Sequence, residues 1–228
     1  VAFAVTVLLR RVAKDPALRD DLQGAVWHFA VFLGIRLLGI PLEQFLPVEW
    51  HPYQLNPELP PEGMDRMEYM KAKFGTVENI IRVHEPLLAH ARTAGVEFNL
   101  DKMKRSPNTL DAHRLIHWAG LEGRQSAVVS SLFKAYWRDG MDIGDRATLA
   151  DIAVENGLQR GMIERLLASD ADADVIGARI DHSRRRGVNS VPTFVIADQH
   201  ALQGAQPTEM WLNVIDEIIE NMKDSDNG

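Results

Sequence analysis

A proline stands at the beginning of the apolar run SVPTFVI, which spans residues 190–196. Proline has no backbone N–H and cannot serve the interior of a sheet ladder. Pro192 therefore indicates one of two structures. It protects an edge strand from pairing with another chain, or it leaves nearby backbone unpaired and open to a ligand.

Polar side chains that could contact a ligand cluster in the segment SPNTLDAHRL. Asn108 or Thr109 is predicted to cap a helix, because a side-chain oxygen at that position accepts a hydrogen bond from the first turn. A capping residue can also face a cleft. His113 and Arg114 follow on the same helix and could bind a carboxylate. For Arg114, an exposed ion pair with Asp111 is the alternative.

Thiol chemistry is excluded for the chain as written, because none of its 228 residues is cysteine. Among the histidines, only His113 and His117 have a spacing that suits a metal on one helix face. An ordinary pair of one core and one surface histidine is the favoured interpretation. We expect no metal and no resident cofactor.

The net charge of −7 argues against a nucleic-acid partner, which requires a clustered basic face. The basic cluster at residues 184–186 is predicted to be a solvated helix end, where cations suit the helix dipole. The apolar segment 1–9 is too short to span a bilayer and lacks the features of a signal peptide. We expect a cytoplasmic protein with no membrane partner, and a homodimer is possible.

Hydrophobic patterns predict strands over residues 1–9, 48–50, 191–196 and 201–202. Helices are predicted over residues 14–22, in much of 64–186, and after Pro207. Residues 25–38 are predicted to be a strand that passes into a helix. Four prolines between His51 and Gly63 predict irregular structure there. This order implies one mixed sheet with a helical insertion between its halves.

This order, together with four stretches, resembles the thioredoxin fold of the DsbA family, in its FrnE-like branch of dithiol-disulfide isomerases and 2-hydroxychromene-2-carboxylate isomerase relatives. The stretches are VEWHPYQLNPELPPEG, SPNTLDAHRLIHWA, FKAYWRDGMDIGD and GVNSVPTFVIADQHALQGAQP. The resemblance covers roughly residues 32–222. It implies an α/β thioredoxin-like fold with halves at 1–63 and 187–228 and an all-helical insertion domain at 64–186.

The resemblance also implies the roles of several residues. Pro192 is expected to be cis, with Val191, Pro192 and Thr193 forming a loop whose backbone pairs with an extended peptide, a small thiol or glutathione. Glutathione would then be a co-substrate. Asn108 and Thr109 are expected near the same cleft.

The reactive half of the family's site is missing. The family places Cys-Pro-Trp-Cys before a continuation that resembles FLGIRLL, and this chain has HFAV at those four positions, residues 28–31. His28 occupies the place of the attacking cysteine and could act as a base, but it cannot exchange disulfides. Either the chain is a redox-inactive relative, or residues 1–31 as written differ from the expressed protein.

The family activity implied by the resemblance is thiol–disulfide oxidoreduction or isomerisation. Two alternatives remain open from the sequence. One is a glutathione-dependent isomerase or transferase of the 2-hydroxychromene-2-carboxylate isomerase or kappa type. The other is a non-enzymatic module that binds an extended peptide beside Pro192.

The absence of thiols predicts that the denatured protein does not react with iodoacetamide. Intact mass spectrometry before and after treatment should give the same mass, because alkylation under mild conditions requires a thiolate. A mass increase would show that the expressed protein contains cysteine. Peptide mapping of residues 1–31 would then locate the difference.

Overall fold

The computed structural model describes residues 3–9, 48–196, 200–204, 206–207, 209–211, 213–214 and 217. The predicted helix at 14–22, the predicted strand and helix at 25–38, and His28 with its three neighbours lie outside these residues. So does most of the predicted last helix.

The main sheet has four described strands: β1 (Phe3–Leu9), β2 (Val48–Gln54), β5 (Thr193–Ile196) and β6 (His200–Gln203). Their order is β2-β1-β5-β6. Strand β1 is antiparallel to β2 and parallel to β5, and β5 and β6 form an antiparallel hairpin. The predicted mixed sheet and the predicted hairpin are therefore confirmed. Of these described strands, two precede the insertion and two follow it.

The prediction that residues 51–54 are irregular is wrong, because β2 continues to Gln54. Pro52 is tolerated because β2 lies at the edge of the described sheet, where a missing N–H on the outer side interrupts no ladder. Trp50, two residues earlier, presents its backbone to the same outer side. There its N–H donates to Gln125 Oε1 at 3.0 Å, and its carbonyl accepts from Gln125 Nε2 at 3.1 Å.

The segment between the two halves of the sheet is mostly helical. A two-residue ladder joins β3 (Met64–Asp65) to β4 (Arg105–Ser106). The helices are α1 (Arg66–Phe74), α2 (Val77–Thr93), α3 (Leu110–Leu121), α4 (Gln125–Phe133), α5 (Arg146–Glu155), α6 (Arg160–Leu167) and α7 (Ala173–Arg185). A five-residue π-helical turn, Lys134–Arg138, follows α4.

Side-chain caps explain where three of these helices begin. Asp65 accepts from the Glu68 N–H before α1, Thr76 from the Asn79 N–H before α2, and Asp145 from the Thr148 N–H before α5. Each cap satisfies an N–H that has no partner inside the helix. The predicted boundaries of the insertion domain at residues 64 and 186 stay a prediction.

One hydrophobic core joins the insertion to the sheet. Its buried residues include Trp50, Phe194 and Ile196 from the strands, together with side chains from α3, α4, α5 and α6. The Trp50 indole also donates to Ser126 Oγ at 2.8 Å. Helix α4 is therefore fastened to the outer edge of β2 by both packing and hydrogen bonds.

Arg114 is part of this framework. It is only 2% exposed, and it donates to the carbonyls of Leu166, Ser169 and Ala171 at 2.6–2.7 Å. A further bond of 2.6 Å reaches Asp111. The predicted pair with Asp111 is present but buried rather than exposed. Because these acceptors occupy the guanidinium, the prediction that Arg114 binds a ligand carboxylate is wrong.

Replacing Arg114 with Met should lower the free energy of unfolding by about 3 kcal/mol or more, because three carbonyls and a carboxylate lose their buried donor. Denaturant titration measures the loss.

Arg146→Met is the matched control. Arg146 contacts the other oxygen of Asp111 at 3.0 Å, but its side chain is 58% exposed, so its loss should cost less than about 1 kcal/mol. Equal losses for the two variants would contradict the assigned role of Arg114.

Candidate functional site

The loop before β5 is fixed from two sides. The peptide bond between Val191 and Pro192 is cis. The Pro192 carbonyl accepts from the Gly204 N–H at 2.7 Å, and Thr193 Oγ1 donates to the Ser190 carbonyl at 2.7 Å. These bonds hold the residues on either side of Val191.

Gln203 on β6 holds the beginning of the same loop. Its Oε1 accepts from Ser190 Oγ at 3.1 Å, and its Nε2 donates to the Gly187 carbonyl at 3.4 Å. Within the part of the chain that the structure describes, the N–H and carbonyl of Val191 have no hydrogen-bond partner. The described residues thus hold the loop in place and leave its central backbone groups unpaired.

An apolar cluster lies beneath this loop. Tyr53 and Val188 are buried together, and the half-buried Val191 packs against them. The Arg184 guanidinium carbon lies 5.6 Å from the centre of the Tyr53 ring, within the range of a cation–π contact. Arg184 also donates to the Gln54 carbonyl at 3.1 Å.

The basic cluster is an exposed helix end, as predicted, because Arg184, Arg185 and Arg186 are all exposed. Arg184 makes two contacts besides: an ion pair with Asp181 at 3.7 Å, and a hydrogen bond that bridges the end of α7 to the end of β2. The second partner lies 130 residues away in the sequence, which carries no local signal for this contact.

Asn108 is linked to the same end of β2. Its Oδ1 accepts from Gln54 Nε2 at 2.7 Å and from the Leu110 N–H at 3.0 Å. Its Nδ2 donates to the Leu59 carbonyl at 2.6 Å. Of the two predicted caps, Thr109 occupies the N-cap position, but its side chain is buried and makes no capping bond. Asn108, one residue earlier, instead binds the first N–H of the helix. Their predicted contact with a ligand stays a prediction.

Gly63 lets this arrangement close. It has a φ of +72°, and a Cβ at this position would meet the Ser106 carbonyl oxygen at 2.8 Å and the Pro107 Cα at 3.0 Å. Any side chain would push the residue before β3 away from the end of β4 and from the segment that leads to Asn108.

His113 lies beneath the site rather than on its surface. It is 2% exposed. Burial lowers the pKa of His113 to about 4, although a hydrogen bond with the Tyr53 backbone opposes the shift. The side chain is therefore neutral at pH 7 and offers no charge to a carboxylate. Its predicted role in binding substrate stays untested, and the observed contact is with the backbone of β2.

The described residues offer no metal site of three or more histidine or acidic side chains. His117 Nδ1 instead lies 3.5 Å from the Arg179 guanidinium. Among the described helices, none is both long enough and apolar enough to cross a membrane. His28, the candidate for the position of the attacking cysteine, lies outside the described residues.

A family model described as DSBA-like thioredoxin domain matches residues 32–216. The chain belongs to this family. The match begins at the residue that follows the HFAV tetrad, and it includes the loop around Pro192 and the segment around Asn108. The resemblance drawn from the sequence is confirmed, as is the thioredoxin-like fold with a helical insertion.

Known proteins extend the comparison. The uncharacterized protein YwbO of Bacillus subtilis (strain 168) is 26% identical over 152 residues, which is 66% of this chain and 72% of YwbO. A probable DsbA oxidoreductase from Streptomyces coelicolor has a TM-score of 0.72 at 23% identity, covering 95% of this chain and 89% of the other.

Two further solved structures share the fold. A 2-hydroxychromene-2-carboxylate isomerase has a TM-score of 0.55 at 18% identity, covering 71% of this chain and 82% of the isomerase. The cytosolic disulfide reductase DsbM from Pseudomonas aeruginosa, solved with glutathione, has a TM-score of 0.53 at 17% identity. The match covers 99% of this chain and 100% of the DsbM chain.

Stability should fall as the pH is lowered from about 6.5 to about 4. The folded state keeps His113 neutral down to a pKa of about 4, against an ordinary value of 6.5. Between these values the unfolded state binds more protons, so acid favours unfolding. The stabilisation is complete above pH 6.5, and the loss by pH 4 is on the order of 3 kcal/mol.

Denaturant titrations over this pH range check the assignment. His113→Gln should flatten the pH dependence, whereas His90→Gln, at an exposed position, should leave it unchanged. An unaltered slope in the His113 variant would contradict the depressed pKa.

Proposed function

We propose that this chain is a DsbA-like binding protein that holds a short extended peptide of the glutathione type against Val191. The chain as written does not exchange disulfides, because it has no cysteine. The family's thiol–disulfide chemistry needs an attacking thiolate and a resolving thiol. Glutathione is here a ligand rather than a reaction partner.

The observation that carries this proposal is the backbone of Val191. Its N–H and carbonyl lack partners within the described ranges, whereas the residues around it are fastened by Gln203, Gly204 and Thr193. An extended ligand can pair with both groups as one added strand residue. Because the loop is already held, binding costs little further ordering.

Charge complements this backbone contact. Arg184 lies over Tyr53, in the cluster against which Val191 packs. Its guanidinium can attract the carboxylate of a short peptide while keeping its bond to Gln54. The DsbM structure, which was solved with glutathione, supports the choice of ligand. The same protein, described as cytosolic, supports the expectation of a cytoplasmic location.

The isomerase or transferase alternative requires a polar group that activates the thiol of glutathione. His28 is the candidate on sequence, and it lies outside the described residues. The similarity to the 2-hydroxychromene-2-carboxylate isomerase, at 18% identity, supports only a shared fold. Binding without chemistry therefore accounts for the described residues best.

Calorimetric titration of the full chain tests the proposal. Reduced glutathione and S-methylglutathione should bind equally well, because no thiol of the protein takes part. Gln203→Ala should lower the affinity for both ligands by roughly threefold to tenfold, because it loosens the loop. Arg184→Met should lower the affinity by a similar factor, because the charge attraction is lost.

Arg185→Met is the matched control, because it removes the adjacent exposed cation of the same triplet and should leave the affinity unchanged. The proposal fails if wild type gives no binding heat, or if both loop and charge variants bind like wild type. If the protein strongly preferred reduced glutathione to S-methylglutathione, and the denatured protein were alkylated, the oxidoreductase function would be supported instead.

A further inference from the structure

A second concave region lies in the insertion, apart from the loop at Pro192. A cavity of about 1070 Å³ is formed by α1, α2 and the segment from Phe98 to Lys104. This volume is at the upper end of small-molecule sites, which are typically about 300–1000 Å³. None of the residues that form the Val191 loop lines it.

The side of α2 that lines the cavity is largely apolar, but it is not buried against other parts of the protein. Val77, Ile80, Ile81, His84 and Leu88 all line the cavity at helical spacing. On α2, however, only Ala91 is buried, and Ile81 is 63% exposed. Met70 and Phe98 add further apolar surface from the opposite sides. An amphipathic helix with its apolar face open to a cavity favours an apolar occupant.

A buried cation lines the same cavity. Arg66 is 9% exposed and donates one hydrogen bond, of 3.3 Å, to the Tyr136 hydroxyl. Burial raises the pKa of Tyr136 to about 12, so this partner is a neutral phenol. Within the described ranges, no carboxylate forms an ion pair with Arg66. A buried guanidinium without a counter-charge is costly.

The other charges are arranged around the exposed part of the cavity. Arg92, Lys102 and Lys104 are exposed cations, and Asp65, Glu85 and Asp101 are the acidic residues that line it. Asp65 accepts the capping hydrogen bond of α1. Within the described ranges none of these three carboxylates forms an ion pair with Arg66, which is the buried cation of the lining.

We propose that this cavity binds a lipophilic monocarboxylate, with its carboxylate on Arg66 and its hydrocarbon against the apolar face of α2. A slender ligand can insert its charged head as far as Arg66. A partner protein lying across the exposed part would leave that guanidinium uncompensated. Fatty acids and aromatic carboxylic acids share this chemistry.

The test is a fluorescence titration of the full chain with cis-parinaric acid, followed by displacement with dodecanoate or 1-dodecanol. The two competitors have the same chain length and differ in charge. Dodecanoate should bind one site per chain and displace the probe at least about tenfold more effectively than the alcohol. Competition by decanoate and by a naphthoate then shows whether the cavity prefers fatty acids or aromatic carboxylic acids.

Two variants locate the site. Arg66→Met and Ile81→Glu should each lower the affinity for dodecanoate by about tenfold. Arg66→Met removes the counter-charge of the carboxylate, and Ile81→Glu adds a negative charge that repels it. Val154→Glu, at an exposed apolar position outside the cavity, should have no effect. If Arg66→Met does not fold, Ile81→Glu and the alcohol comparison decide the outcome.

The proposal is overturned by any of three results. These results are that the wild type does not bind the probe, that dodecanol competes as well as dodecanoate, or that the Ile81→Glu variant binds dodecanoate as tightly as the wild type. Light scattering after size exclusion adds one more decisive outcome. A dimer that Ile81→Glu dissociates, with no effect of dodecanoate, would show that a second copy of the chain covers this face.

Discussion

The structure depends on the outer edge of β2. A strand at the edge of a sheet leaves every second residue with backbone groups that face away from the ladder. In this chain the insertion binds several of those groups. Gln125 pairs with both groups of Trp50, Pro52 has no N–H to satisfy, and Arg184 donates to the carbonyl of Gln54. Among the described residues, it is these contacts rather than a further strand that cover the middle and the end of this edge.

This constraint also positions the candidate site. The last two residues of β2 contact each part of it: Tyr53 underlies Val191 with Val188, and Gln54 holds Asn108 and Arg184. His113 reaches the backbone of Tyr53 from below. A change in how α3, α4 or α7 packs would move the end of β2 and with it the floor of the loop. The insertion thus supports the half of the site that binds a ligand.

The sequence predicted the parts of the fold that local patterns determine. The hairpin of β5 and β6 follows from a β-branched, apolar run and a short apolar segment on either side of a turn, and the loop at Pro192 follows from VPTF in the setting of the family. The continuation of β2 through Pro52 was missed, because four nearby prolines suggest irregular structure and only the pairing shows which side of the strand a proline occupies. The long-range contacts of Arg114 and Arg184 were missed for a related reason. Their acceptors lie 52–57 and 130 residues away, and no local spacing encodes such contacts.

The central claim is that the Val191 backbone is the ligand-binding surface of a DsbA-like chain without thiols. The most direct measurement is a titration of the ¹⁵N-labelled full chain with S-methylglutathione, followed by amide chemical shifts. Saturable shifts are expected at Ser190, Val191 and Thr193, together with the Arg184 side chain, and no shifts around Val154. Saturable shifts elsewhere with an unmoved Val191 amide, or no shifts at all, would contradict it.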